Sequence, residues 1–266
     1  MVNDNKQEPM SHFKMSKHNV IAKILVVFFL AATHLVIGQD QPTHETVHIP
    51  EPLMFDLVRG LGAKQGELEI NALADFPLNN ASSRGVEWAP EIEYAIFNNF
   101  AVELEFPMNN FELEAYKMAI QWTIGSSKNN KFIHGIQVMG EAYIHEDILE
   151  LNFLYVPAYR FNDIWSTIGL FGVMLESGAD SAKKKHTIIL NASVFADLNK
   201  HTVVGLEINN SDPTFQSIDN NEMELLLLPQ GHYEFDSGLA FQFGLGPKFY
   251  ENQVDASAVL RVIKSF

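Results

Sequence analysis

Residues 86–106 read VEWAPEIEYAIFNNFAVELEF. Every second residue from Val86 gives Val86, Trp88, Pro90, Ile92, Tyr94 and Ile96, and the interleaved set is Glu87, Ala89, Glu91, Glu93 and Ala95. A period of two means a strand with one apolar and one polar face. Asn98 and Asn99 follow, and asparagine tolerates the positive φ of a tight hairpin turn. The return strand sets Phe100, Val102, Leu104 and Phe106 against Ala101, Glu103 and Glu105. Two such strands of about ten residues exceed the usual globular length and match a tilted strand crossing a bilayer, about 9–11 residues.

The same alternation recurs from Gly66 to the end and predicts about twelve strands: 67–76, 86–97, 100–106, 111–124, 132–144, 148–161, 164–175, 186–198, 202–209, 222–232, 239–245 and 256–266. Links after the second, sixth, eighth and tenth strands are short, and those after the first, seventh, ninth and eleventh are long and polar. That asymmetry is how outer-membrane barrels place loops outside and turns in the periplasm. The links after the third and fifth strands are short for outer loops, and GSSKNNK after the fourth is long for a turn. Pro90, Pro157 and Pro229 fall inside strands, where bulges are expected because proline gives up a ladder hydrogen bond. The fold expected is a single all-β antiparallel transmembrane barrel over residues 66–266. A soluble lipocalin-like barrel uses the same alternation with the faces inverted. Long strands, asymmetric links and a terminal Phe266 speak for the membrane form.

Residues 24–38, ILVVFFLAATHLVIG, form an apolar run preceded by Lys14, Lys17 and Lys23. This reads as a secretory signal peptide over residues 1–38, cut before Gln39, with Met15 an alternative start. No cysteine follows it, so no lipoprotein anchor, disulfide framework or thiol–zinc site is expected. A net charge of −15 for the chain argues against nucleic acid, which requires a basic footprint. Residues 39–65 are expected to be a periplasmic segment, with a short helix over Pro52–Leu61 that covers a barrel mouth or lies at the membrane surface. His44-Glu45-Thr46-Val47-His48 matches the H-E-x-x-H zinc signature, with Glu67 as a conceivable third ligand. Pro42, Pro50 and Pro52 leave no room for the helix the motif needs, so no metal and no cofactor is expected.

If the apolar faces meet lipid, the other faces line the lumen. Glu67, Glu69, Glu91, Glu93, Glu103 and Glu105 then stand on three consecutive strands, joined by Glu141 and Glu150. Lys117, Arg160 and Arg261 point the same way. A dry lumen cannot keep so many carboxylates ionised without water, cations or basic partners. An open lumen of this kind prefers cations, and changing Glu91, Glu93, Glu103 and Glu105 to glutamine is expected to lower that preference while the fold survives. Residues 40–60 or the barrel's own side chains could instead close it. Phe266, last on the last strand, is the expected signal to the outer-membrane assembly machinery.

The EIEY–turn–LELEFP hairpin, with a signal peptide and a terminal Phe, resembles outer-membrane barrels of the meta-pathway phenol-degradation family, and the EPLMFDLVRGLGAKQGELEINAL stretch resembles its Bacteroidetes-type members. The resemblance implies a bacterial outer membrane, lipid and assembly-machinery partners, and passage of small, often aromatic molecules. A structural or adhesive barrel is the alternative. A lipid hydrolase would need Ser beside His, and His134, His145 and His186 carry no such signature, so no enzyme is expected.

Overall fold

The computed structural model describes residues 47–55, 57–79, 85–179, 181, 186–210, 225–249 and 254–266. The signal-peptide reading and the H-E-x-x-H residues before Val47 lie outside them. Among the described residues the strands are β1 (Leu68–Pro77), β2 (Glu87–Phe97), β3 (Phe100–Glu105), β4 (Met108–Asn109), β5 (Glu112–Leu113), β6 (Ala115–Ser126), β7 (Phe132–Tyr143), β8 (Leu149–Arg160), β9 (Trp165–Ser177), β10 (His186–Asn199), β11 (Thr202–Asn209), β12 (Leu225–Glu234), β13 (Leu239–Phe249) and β14 (Val254–Ser265). Twelve of them pair antiparallel with their chain neighbours, and β1 pairs with both β2 and β14, so the sheet closes on itself. The two-residue strands β4 and β5 form a small hairpin extending from β2 at the rim, which supplies the length missing from that link.

Which face meets lipid is decided by exposure. Ile188, Leu190 and Phe243 are 62, 55 and 53 % exposed, whereas Glu93, Glu105 and Lys117 are fully buried. The apolar faces therefore point outward and the charged faces inward, the reverse of a soluble barrel. The chain is a transmembrane β-barrel. Closure leaves no unpaired edge, which a strand in hydrocarbon could not tolerate.

One end carries the tight turns. Asn99 takes φ 68° between β2 and β3, and Gly238 takes φ 74° between β12 and β13. The GSSKNNK link also belongs here. Ser127 N donates to Phe132 O at 2.7 Å, and the Ser127 hydroxyl accepts from Lys131 N and Phe132 N. Register shifts fall near this end, at Ala95/Phe97, Thr123/Gly125 and Asp197/Asn199. No shift occurs at Pro90, Pro157 or Pro229. The ladder instead keeps its register past Pro157 and Pro229 and loses pairings on one side only. A missing donor thus removes contacts without requiring an extra residue.

The segment before β1 lies inside the barrel. No helix forms over Pro52–Leu61 among the described residues; the chain runs in bends. Leu53, Met54, Phe55, Leu57 and Val58 are all buried to 1 % exposure or less. Val47, Ile49, Phe55, Leu57, Val58 and Ala63 share one apolar cluster with Leu154, Val156 and Ala158 of β8, Ile168 and Leu170 of β9, and Ile189 and Phe195 of β10. This is why both faces of β9 are apolar in sequence: one meets lipid and the other meets the segment. Each Val, Leu, Ile or Phe in the cluster contributes about 1.5–3 kcal/mol on burial.

Glycine makes room for the segment at its tip. A Cβ on Gly244 would stand 2.9 Å from Leu53 Cδ2 and 2.7 Å from Leu228 Cγ. Gly244→Val is expected to push Leu53 off the wall at a cost of about 1–3 kcal/mol. Faster protease cleavage within residues 47–64, with unchanged barrel cleavage, is the result to look for. Equal protection of variant and parent would show that the tip does not depend on this contact.

Candidate functional site

Strand register builds the ionic wall. Across β1, β2 and β3 it sets Glu69 opposite Glu93 and Glu93 opposite Glu103. One step further from the short-turn end, Asn71 faces Glu91, Glu91 faces Glu105, Glu105 faces Lys117, Lys117 faces Glu141, Glu141 faces Glu150 and Glu150 faces Glu176. Like charges directly opposite repel, so this wall needs cations. Arg261 on β14 supplies one: its Nη2 lies 2.6 Å from Glu91 Oε1 and 3.4 Å from Glu93 Oε1, and its Nε donates to Asn71 Oδ1 at 3.1 Å. Lys117 pairs with Glu105. Glu91, Glu93 and Glu103 bring carboxylate oxygens within 4.8 Å of one another, an arrangement open to a divalent cation. The Arg261 guanidinium supplies positive charge at that place.

The third cation comes from the segment. Arg59 pairs with Glu69 and lies 3.5 Å from Glu67 Oε2 and 3.7 Å from Glu93 Oε2. Burial works against its charge, yet Glu51, Glu69, Glu93 and Glu67 outweigh that cost and hold the guanidinium above its ordinary range. Desolvation pushes the Glu51 carboxyl up and Glu69 adds to it, while Arg59 and Arg261 pull the other way.

The tip of the segment is held by Glu207 on β11. Its carboxylate accepts from Leu53 N at 2.9 Å, Met54 N at 3.1 and 3.2 Å, and Phe55 N at 2.7 Å. Asn209 Nδ2 and Gln230 Nε2 donate to it from the wall at 2.7 and 2.9 Å. Three successive backbone N–H groups make a concave anion cradle, and charge-assisted bonds of this type are the stronger kind. Further down, Gly62 N donates to Thr123 Oγ1 at 2.9 Å. At the short-turn mouth Arg160 Nε donates to His48 O at 2.8 Å, and its Nη2 reaches Asp197 Oδ2 at 2.7 Å. A cavity of about 410 Å³ opens there, between His48, Glu51 and Arg59 of the segment and His201, His232 and Gln242 of the wall.

Among the expected lumen residues, Glu69, Glu91, Glu93, Glu103, Glu105, Lys117, Glu141, Glu150 and Arg261 are buried on the inward side. Glu67 stands just before β1, near the mouth, and Arg160 clamps the entering segment rather than the ionic wall. Sequence reasoning missed Glu207 and Arg59. The alternation Val203, Gly205, Glu207, Asn209 marked Glu207 as inward; nothing local marked Arg59, which sits in a segment with no period. Of the histidines considered for a hydrolase, His134 packs between Phe132 and Tyr155, His145 lies 3.2 Å from Glu112, and His186 opens β10.

A family model described as HAEPLYID-like matches residues 45–265. The chain belongs to the HAEPLYID-like family. Glu51-Pro52-Leu53 lies within the matched residues, and Leu53 is where the segment meets Glu207. No curated protein matches the HAEPLYID-like chain. Among solved structures it is similar to the KdgM porin in complex with disordered oligogalacturonate, at TM-score 0.56 and 10 % identity over 74 % of this chain and 99 % of that one. It is likewise similar to the COG4313 outer membrane channel from Pseudomonas putida F1, at TM-score 0.55 and 10 % identity over 82 % of this chain and 100 % of the other. At such identity the likeness is one of fold: this HAEPLYID-like barrel has the architecture of outer-membrane channels.

Proposed function

We propose that the protein is a bacterial outer-membrane channel for small solutes, held shut in this state by residues 47–65 entering from the periplasmic side. The observation that carries this reading is how the segment is held. It lies in the lumen without helix or strand of its own, and it meets the wall through side-chain contacts at Glu207, Arg59 and Thr123, with a backbone bond from Asn99 N to Ala63 O at its mouth end. A segment attached in that way can leave without breaking the barrel's ladder, whereas a plug built into the sheet could not. Kinship with the meta-pathway phenol-degradation barrels of Bacteroidetes type belongs to the same reading, supported by the β2–β3 hairpin, and favours small organic solutes. In the solved structure similar to this chain, the KdgM porin is in complex with oligogalacturonate, a polyanion. The carboxylates of β1–β3 oppose a polyanion here by charge.

A structural barrel is the second reading. The Arg261–Glu91 and Lys117–Glu105 pairs join different strands and stiffen the wall. Single-channel recording of the full chain in a planar bilayer separates the two. The channel reading expects long closed intervals and brief cation-preferring openings, weakened in preference by salt. A protein that never opens, even when the contacts holding the segment are removed, belongs to the structural reading.

We further propose Phe266 as the signal to the assembly machinery. The residue is 68 % exposed, with Lys264 Nζ 4.9 Å from its ring centre, so its removal takes away little packing. Deleting Phe266 is expected to lower the amount of inserted protein several-fold while the inserted fraction melts as the parent does. Normal membrane levels would refute the role.

A further inference from the structure

We infer that the lumen, once the segment has moved, takes up organic cations with an apolar body, and that Arg59 with Leu57 and Val58 occupies the place of such a solute. This rests on the channel reading above. The inner wall has two chemistries. Strands β1–β3 present Glu69, Glu91, Glu93 and Glu103, and strands β8–β10 present Leu154, Val156, Ile168, Leu170 and Phe195, all buried. The segment answers both at once. Its Leu57 and Val58 lie in the apolar cluster, and the next residue puts a guanidinium against Glu69, Glu67 and Glu93.

Withdrawal of the segment uncovers both surfaces together. Arg261 stays with Glu91 and Glu93, and Lys117 with Glu105. Glu67 and Glu69 lose the cation they share, and the apolar wall loses its cover. A neutral apolar solute would satisfy the second surface only, and a hydrated metal ion the first only. An anion would be repelled by the carboxylates it met. A molecule with a guanidinium or ammonium head on an aromatic or aliphatic body satisfies both. Arg59 follows Val58 directly and carries its guanidinium on a flexible three-methylene stem, so head and body need only a short flexible link.

Because Arg59 competes for the same carboxylates, the site is free only for the fraction of time the segment is away, and the apparent affinity falls by that fraction. The test uses the full chain in detergent, titrated calorimetrically with (4-phenylbutyl)guanidinium, its neutral analogue (4-phenylbutyl)urea and 4-phenylbutanoate, beside bilayer recordings of the same proteins. Binding of the guanidinium alone, tightened at least about tenfold in Arg59→Gln, is expected. Heat-modifiability on gels first shows that Arg59→Gln is folded; in the parent, faster protease cleavage of residues 47–64 with added guanidinium is expected independently. Equal binding of the urea or the butanoate overturns the inference. Guanidinium affinity that does not rise in Arg59→Gln overturns it as well. No guanidinium binding to a variant that conducts sinks the inference and leaves the channel standing. Charge-selective binding with no conductance in any variant supports the site and sinks the channel.

Discussion

Arg261→Met is expected to lower barrel stability by about 3–5 kcal/mol, because removing one partner of a buried ion pair leaves the other charge uncompensated. The Arg261 side chain is 1 % exposed and reaches Glu91, Glu93 and Asn71 together. Its loss leaves carboxylates facing one another across β1, β2 and β3 in the interior. Arg261→Lys recovers only part of this, since an ammonium cannot span the three partners as a planar guanidinium does. The denaturant midpoint of vesicle-inserted protein measures the effect. An unchanged midpoint for Arg261→Met would mean that the wall carries its charge by other means. The same reasoning applies to glutamine at Glu91, Glu93, Glu103 and Glu105 together. That change removes acids that Arg261 and Lys117 pair with, so stability is expected to fall along with any cation preference.

Glu207→Ala is expected to free the segment. The change takes the acceptor from three backbone N–H groups and two side-chain amides. Each buried donor left without a partner costs about 1–3 kcal/mol, so the closed arrangement loses several kcal/mol while the strands keep their ladder. Two readouts should move together: channel openings become frequent, and residues 47–64 become open to protease. Glu207→Gln keeps one acceptor oxygen and should fall between parent and alanine. If Glu207→Ala stays closed and protected, the apolar contacts of Phe55, Leu57 and Val58 with β8–β10 hold the segment by themselves.

Much of this molecule is written in local pattern. Alternation is a property of neighbouring residues, so the hairpin at residues 86–106 declared its strands, its turn and the two chemistries of its faces. The turn residues Asn98 and Asn99 and the short and long links told which end was which for the same reason. The placement of Glu69, Glu91, Glu93 and Glu103 on a shared face followed from period two alone. Their partners did not. Arg261 lies 170 residues from Glu91, and only closure of β14 onto β1 brings them together. The second apolar face of β9 answers residues 47–65, a stretch without a period whose place depends on the finished barrel. Its sequence suggests a short helix over Pro52–Leu61 at a barrel mouth or the membrane surface, and among the described residues no such helix forms. Its destination, inside the lumen with Glu207 at its tip and Arg59 on the acids, was decided by tertiary structure, since a cavity lined by one charged and one apolar wall exists only after twelve strands have closed around it.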